Sequence, residues 1–285
     1  MIESIAIIGV GMIGGSIARS LRDKKVCENI IGIDACADTL AIALNEQLVD
    51  EAYASVEDCP LSPNVVIVCV PVSVISQVFA QCRDWFAECE AITDVGSTKQ
   101  SVIDDLQTLM TELPANFVPA HPIAGRELSG VQAAVSGLFD HKKVILTPTL
   151  KTAPNSLMCV TQMWQEIGAQ VEYMNADSHD QILAATSHLP HVLAYALVHC
   201  LANQTQTPEI FRYAAGGFSD FTRIASSDPA LWRDICMANQ VPLVEAIEGF
   251  ETTLKQLRED IQNQDGDALQ KMFEQAKIAR DKFTQ

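Results

Sequence analysis

Positive charge is scarce in this chain: 19 lysines and arginines face 36 aspartates and glutamates, for a formal net charge of -17. A surface of that sign repels phosphate backbones and anionic bilayers, so nucleic acid and membrane surfaces are excluded as partners. An anionic substrate would have to be held by few, specifically placed cations. Long apolar runs are also lacking. No charge-free apolar stretch reaches the roughly eighteen residues a bilayer span needs. Met1-Ile2-Glu3 offers no basic leader segment and runs straight into a strand, which suggests a cytosolic protein. CxxC pairs are missing, and the 9 cysteines are odd in number and mostly set among apolar neighbours. They read as reduced, buried thiols, not as disulfides or zinc ligands, and no metal site is expected.

What is present begins within the first fourteen residues. Ile5, Ala6, Ile7 and Ile8 form an unbroken apolar run, as a strand buried on both faces does. Gly9-Val10-Gly11-Met12-Ile13-Gly14 follows, and then Ile17, Ala18 and Leu21 at helical spacing. Strand, glycine turn and helix in that order make the phosphate-binding turn of a dinucleotide fold. Gly9 permits the tight turn, Gly11 lets backbone approach a pyrophosphate, and Gly14 lets helix pack on strand. The helix N-terminus offers unpaired N–H groups to the phosphates. A second apolar run, Ile30-Ile31-Gly32-Ile33, ends in Asp34, about twenty residues past the last glycine, where an acid holds the adenosine ribose. A carboxylate there repels a 2′-phosphate, and Ala35, Cys36 and Ala37 bring no arginine, so the cofactor reads as NAD.

At 285 residues, 48% of them apolar, the chain can build one large or two ordinary domains. Strands at 65–70, 91–93, 117–118 and 143–146 alternate with helices at 39–48 and 74–87 and with a helix that has Val102, Ile103, Leu106 and Leu109 on its apolar stripe. That pattern predicts an α/β fold, a Rossmann-type doubly wound parallel sheet. The loops 71–73, 94–99 and 121–127 leave strand ends and should converge on one crevice, which puts Val70, Pro71 and Asp94 beside the cofactor with the glycine turn. After a helix at 157–167 and a strand at 170–173 the pattern becomes helical only, with Asp177 or Ser178 as a cap. We therefore expect an NAD-binding domain over 1–175 and a helical substrate-binding and dimerisation domain over 176–285. Leu243, Ile247, Phe250, Leu254, Leu257 and Ile261 recur at steps of four and three, and Leu269, Met272, Ala276 and Ala279 repeat the pattern. These seams either close on each other within one chain or bury a homodimer interface, and we favour the dimer.

A nicotinamide enzyme oxidising an alcohol needs a proton acceptor, and neutral histidine suits that role. Of the 6 histidines, His121 stands at a strand end beside Pro122, facing the expected crevice. His188 and His191, three apart in Ser187-His188-Leu189-Pro190-His191, share a helix face, and Pro190 should kink that helix. His141, His179 and His199 have less to recommend them. In Gly216-Gly217-Phe218-Ser219-Asp220-Phe221-Thr222-Arg223, Asp220 can aim the Arg223 guanidinium at an anionic substrate, or the two form an ordinary surface pair.

Taken with Asp94-Val95-Gly96-Ser97-Thr98-Lys99, His121-Pro122-Ile123-Ala124-Gly125 and Asp228-Pro229-Ala230-Leu231-Trp232-Arg233, these motifs resemble the prephenate/arogenate (cyclohexadienyl) dehydrogenases of tyrosine biosynthesis over nearly the whole chain. The resemblance implies oxidative decarboxylation, with hydride leaving C4 of a cyclohexadienol for NAD⁺ while His121 draws off the 4-hydroxyl proton. It implies that Ser97 holds His121 and the hydroxyl, and that Arg223, with Asp220, binds substrate carboxylate. His191 would bind from the helical side, with His188 near it. Glu127 matches an acid gating the site, and Gly216 a position reached from the neighbouring subunit. Aromatisation on loss of CO₂ drives the step, leaving orientation, one base and charge complementarity to the protein. The chain is expected to carry neither a fused chorismate mutase nor a regulatory domain, so any tyrosine feedback would act at the active site. Other readings are a β-hydroxyacid dehydrogenase or imine reductase, or an NAD-binding sensor without turnover. The first would rest on a lysine in the helical half, where histidines and Arg223 stand instead.

Overall fold

The computed structural model describes residues 1–60, 62–125, 128–204 and 207–283. The chain forms two compact units, Met1–Asn239 and Gln240–Gln285.

The first unit opens with β1 (Ile2–Ile8), α1 (Met12–Lys24), β2 (Cys27–Ile33), α2 (Ala37–Asn45), β3 (Glu51–Tyr53), β4 (Val65–Val68), α3 (Val72–Gln81), β5 (Ala91–Asp94), α4 (Gln100–Leu109) and β6 (Phe117–Val118). The six strands form a parallel sheet in the order β3-β2-β1-β4-β5-β6. The order reverses between β1 and β4, whose register pairs Ile5 with Val65 and Ile8 with Val68. A crevice opens beyond the strand ends at such a reversal. Alternate residues of the apolar runs serve opposite faces, as the two-residue strand period requires. Ile5, Ile7, Val65 and Ile67 join one core with Phe139 and Trp164. Ala6, Ile8, Val66 and Val68 join the other with Phe79, Phe86 and Phe117. The rings meet edge-on, Phe139–Trp164 at 5.3 Å and Phe79–Phe117 at 5.2 Å between centroids. Each fully buried aliphatic side chain contributes roughly 1.5–3 kcal/mol.

The parallel sheet stops where Pro119 interrupts the chain. Proline cannot donate to a ladder, and β7 (Ala120–Pro122) turns away to pair antiparallel with β8 (Lys143–Leu146). β8 in turn pairs parallel with β9 (Gln170–Tyr173) across α5 (Pro154–Glu166). The later strands thus make a separate three-stranded sheet, where the alternation of elements had suggested one continuous sheet. α5 begins three residues before the expected 157, with Pro154 in its first turn, where a missing N–H costs nothing.

From Ala176 the first unit is helical: α6 (Ala176–Leu183), a π-helical turn (Ala184–His188), α7 (Leu189–Ala202), α8 (Thr207–Arg212), α9 (Gly216–Thr222) and α10 (Pro229–Ala238). The cap of α6 is Asn175, not Asp177 or Ser178. Its side-chain oxygen accepts the Ser178 N–H at 2.7 Å, the reach an N-cap residue has to N3.

The second unit is a helix pair, α11 (Gln240–Gln262) and α12 (Gly266–Phe283). Asp265 starts α12 by accepting the Ala268 N–H at 2.9 Å. Of the first seam, Leu243 is buried, whereas Leu254 and Ile261 are 49% and 57% exposed. Phe273 and Ile278 of α12 are similarly open. The first seam is therefore not fully closed within one chain. Among the described residues, no helix is long and apolar enough to cross a membrane.

Candidate active site

The glycine turn has the geometry that the residue types imply. Gly9 sits at φ +92°, and a Cβ there would lie 2.6 Å from the Cys69 carbonyl oxygen. A Cβ on Gly14 would lie 2.1 Å from the Gly9 oxygen, so helix and strand meet backbone to backbone. Around Gly11 nothing lies within 4 Å, which leaves the backbone open to a ligand. Met12, Ile13 and Gly14 follow in the first turn of α1, where N–H groups lack intrahelical acceptors. Asp34 closes the cradle from the end of β2. One carboxylate oxygen accepts the Val10 N–H and the other the Cys36 N–H, both at 2.9 Å. Half-buried Val70 and exposed Pro71, the cap of α3, leave the end of β4 on the neighbouring strand. An open phosphate cradle with an oriented acid at the next strand end fits a dinucleotide.

Asp94, expected among the cofactor contacts, turns its carboxylate inward. It is fully buried and ion-paired to Lys99, and it accepts the Gly96 N–H at 2.8 Å and the Ala120 N–H at 3.2 Å. The buried Lys99 ammonium needs a counter-charge, and Asp94 supplies it.

His121 lies on β7, partly exposed. Its Nδ1 meets His179 Nε2 at 2.9 Å, and His179 Nδ1 meets Asp180 Oδ1 at 2.7 Å. Asp180 is itself held by two backbone donors at the start of α4: Lys99 N to Oδ1 at 2.8 Å and Gln100 N to Oδ2 at 2.9 Å. An ionised carboxylate only accepts, so His179 carries its proton on Nδ1 and offers a lone pair at Nε2. His121 must then donate from Nδ1, which leaves its Nε2 as a proton acceptor. Burial, then the neighbouring His179, Lys99 and His188, hold the His121 imidazolium well below its ordinary pKa. The ring is neutral and basic at cellular pH. His179 and Asp180 are residues that sequence reasoning passed over. His179 sits fifty-eight positions from His121 and is completely buried, and no local spacing announces that contact.

Beside this chain, Asn239 Nδ2 donates to the Asp180 carbonyl at 2.9 Å and approaches His188 Nδ1 at 3.0 Å. His188 therefore accepts at Nδ1 and is protonated at Nε2, which is buried with no partner among the described residues. Its pKa is pushed down to about 4, mainly by burial. His191 Nδ1 meets the Ser187 carbonyl at 2.9 Å, and its ring stacks on Trp232 at 3.5 Å and 18°. Burial lowers its pKa as well. Asp228 caps α10 and so sets Trp232 in the first turn, where it reaches that ring. The expected disturbance near Pro190 takes the form of the π-helical turn 184–188, immediately before the proline. Such turns often mark functional sites.

The remaining expected residues are placed less centrally. Ser97 is half-buried in the same loop as Lys99. Among the described residues no hydrogen bond joins it to His121, whose Nδ1 is taken by His179. Gly216 and Asp220 are exposed on α9, and Arg223 is exposed in the 3₁₀ turn that follows. Among the described residues no ion pair joins Asp220 to Arg223. Glu127 lies outside the described residues.

The strand order, the glycine cradle, the acid at the end of β2 and a neutral histidine on β7 define a Rossmann-type NAD-dependent oxidoreductase. Family comparisons narrow the class. Residues 17–173 match the prephenate dehydrogenase nucleotide-binding domain and residues 175–275 match the prephenate dehydrogenase dimerization domain, so this chain belongs to the prephenate dehydrogenase family. It is 38% identical to a cyclohexadienyl dehydrogenase of Zymomonas mobilis, over 98% of this chain and 95% of that protein. It is 34% identical to a prephenate dehydrogenase of Bacillus subtilis, over 99% of this chain and 76% of that protein. Among solved structures, prephenate dehydrogenase from Aquifex aeolicus in complex with hydroxyphenyl propionate and NAD⁺ superposes with a TM-score of 0.92. That match has 39% identity and covers 98% of both chains. The dimerization-domain match supports a homodimer.

Proposed function

We propose that this chain carries out the NAD-dependent oxidative decarboxylation of its family, taking prephenate to 4-hydroxyphenylpyruvate, arogenate to tyrosine, or both, with His121 as the base. The observation that carries this reading is the Asp180–His179–His121 chain, which leaves a neutral imidazole with its Nε2 lone pair unused. His121 Nε2 takes the proton of the substrate 4-hydroxyl as the C4–H bond breaks. NAD⁺, when bound, supplies the hydride acceptor. The C4–O bond gains double-bond character, the bond to the ring carboxylate breaks, and CO₂ leaves its electron pair in the ring. His121 then returns the proton to the phenolic oxygen of the product, so no net base is consumed. The positive charge on His121 is spread through His179 towards the Asp180 carboxylate during the step.

On this reading Ser97 meets the hydroxyl, and His191, backed by Trp232, lines the substrate with His188 behind it. Arg223 binds a substrate carboxylate, and Asp220, Glu127 and Gly216 keep the site roles that the family resemblance implies. We assign 1–175 to NAD binding and 176–285 to substrate binding and dimerisation. The working form is a cytosolic homodimer, supported by the open apolar stripes of α11 and α12, and any tyrosine feedback would act in competition with substrate. Asp34 makes NAD⁺ the preferred cofactor over NADP⁺, through repulsion of a 2′-phosphate.

The test is initial-rate NADH formation with prephenate and arogenate, each with NAD⁺ and NADP⁺, for wild type and His121→Asn. The expected result is NAD⁺-linked turnover that falls by about 10²–10⁴ in the variant, with NAD⁺ binding preserved. No turnover on either substrate would overturn the reading.

A further inference from the structure

Among the described residues Lys99 is the one lysine with no exposure at all. A buried ammonium with a buried carboxylate rarely adds stability over a neutral pair of similar size, so its presence calls for a reason in the contacts. Its Nζ ion-pairs with Asp94 and donates to the Ala120 carbonyl at 2.7 Å, while Asp94 Oδ1 accepts the Ala120 N–H at 3.2 Å. Both backbone groups of Ala120 are therefore gripped by one ion pair. The strand pattern explains why they are available. The Pro119 carbonyl accepts from Thr147 N, and Ile123 N donates to the Lys143 carbonyl, so residues of the same parity as His121 bond to β8. Ala120 turns its N–H and C=O to the opposite edge of β7, where no strand lies. The ion pair stands in for that strand. Lys99 also supplies, through its own N–H, one of the two backbone bonds that fix Asp180.

We propose that Lys99, with Asp94, is a positioning residue for His121, holding the backbone before it from one side and the far end of its His179–Asp180 support from the other. This rests on His121 being the base. The geometry makes the pair a spacer between β5 and β7: it sets the His121 ring against His179 and so sets where Nε2 points. A displacement of about 1 Å at a reacting group costs roughly a hundredfold in rate. The groups facing His121 are His179, with Asp180 behind it, His188 and Lys99, with Asp94 beside Lys99. Among them Lys99, like His179 and His188, opposes protonation of the ring.

The experiment compares wild type, His121→Asn and the double variant Asp94→Asn/Lys99→Met, which leaves no unpaired buried charge. The double variant should fold, bind NADH within about threefold of wild type, and lose about 10–100-fold in kcat with little change in KM for prephenate. The acid limb of its kcat/KM profile should also move to higher pH. Wild-type kcat with an unmoved acid limb would overturn the proposal, and so would a double variant that cannot fold, because the pair would then hold the fold and not the base. His121→Asn separates the two claims. If that variant keeps full turnover the base assignment fails, whereas a collapse there beside an unaffected double variant removes only the positioning role.

Discussion

Replacing Asp180 by asparagine tests the hydrogen-bond chain with almost no change in volume. Asp180 accepts three bonds: His179 Nδ1 at 2.7 Å and Lys99 N at 2.8 Å on Oδ1, and Gln100 N at 2.9 Å on Oδ2. An amide has one oxygen and must place its NH₂ against one of these donors. With the oxygen at the Oδ1 position, the Gln100 bond is lost and the histidine tautomers survive. With nitrogen there, the Lys99 bond is lost, and His179 must accept at Nδ1 and donate from Nε2. His121 is then forced to protonate Nε2, and its base is gone. Each orientation forfeits one backbone bond, so neither is strongly favoured and the inactive tautomer is well populated. The negative charge is lost in both. A hydrogen bond to a charged group is worth about 1.5–3 kcal/mol, so kcat should fall roughly ten- to a hundredfold, with NAD⁺ binding intact. His179→Phe, which leaves Asp180 bonded to the start of α4 but breaks the chain, should lose a similar factor. Stopped or initial-rate NADH formation reads both, beside urea melts to confirm folding. If folded Asp180→Asn turned over within twofold of wild type, the tautomer argument would be wrong.

Three further outcomes follow from the same structure. Gly14→Ala must push a methyl to 2.1 Å from the Gly9 oxygen, so it should abolish measurable NADH binding by fluorescence and lower the melting temperature; Gly11→Ala, with open space around it, should fold normally. His188 is held near pKa 4 in the folded chain, against about 6.5 when unfolded. The unfolded state then binds the extra proton first as pH falls, so stability should drop by about 3 kcal/mol between pH 6.5 and 4 and level off below. His121 and His191 act in the same direction, and urea titrations across that range would show it. Leu254→Glu with Ile261→Glu places charge on the open stripe of α11, and sedimentation should show a shift from dimer to monomer; an unchanged dimer would put the interface elsewhere.

Local pattern determined much of this protein. The unbroken run Ile5 to Ile8 had to lie in a sheet covered on both faces, because every position is apolar, and Gly9, Gly11, Gly14 and Asp34 carry the cofactor cradle in their spacing alone. His121 was legible because it ends a strand beside a proline, in a loop bound for the crevice. The later motifs, whose order is specific, pointed to the family. What only the tertiary structure decided is which partners surround that histidine. His179 had little to recommend it until α6 was packed against the start of α4 and the side of β7, which set it with Asp180 behind His121. Lys99 and Asp94 read as loop residues near a ligand until Pro119 diverted β7 and left the edge of Ala120 to be filled. The two imidazoles that share one proton network come from segments separated by fifty-eight residues. Hydrophobic period and turn chemistry act over a few residues, whereas a tautomer is set by whichever donor or acceptor the fold brings to within three ångströms.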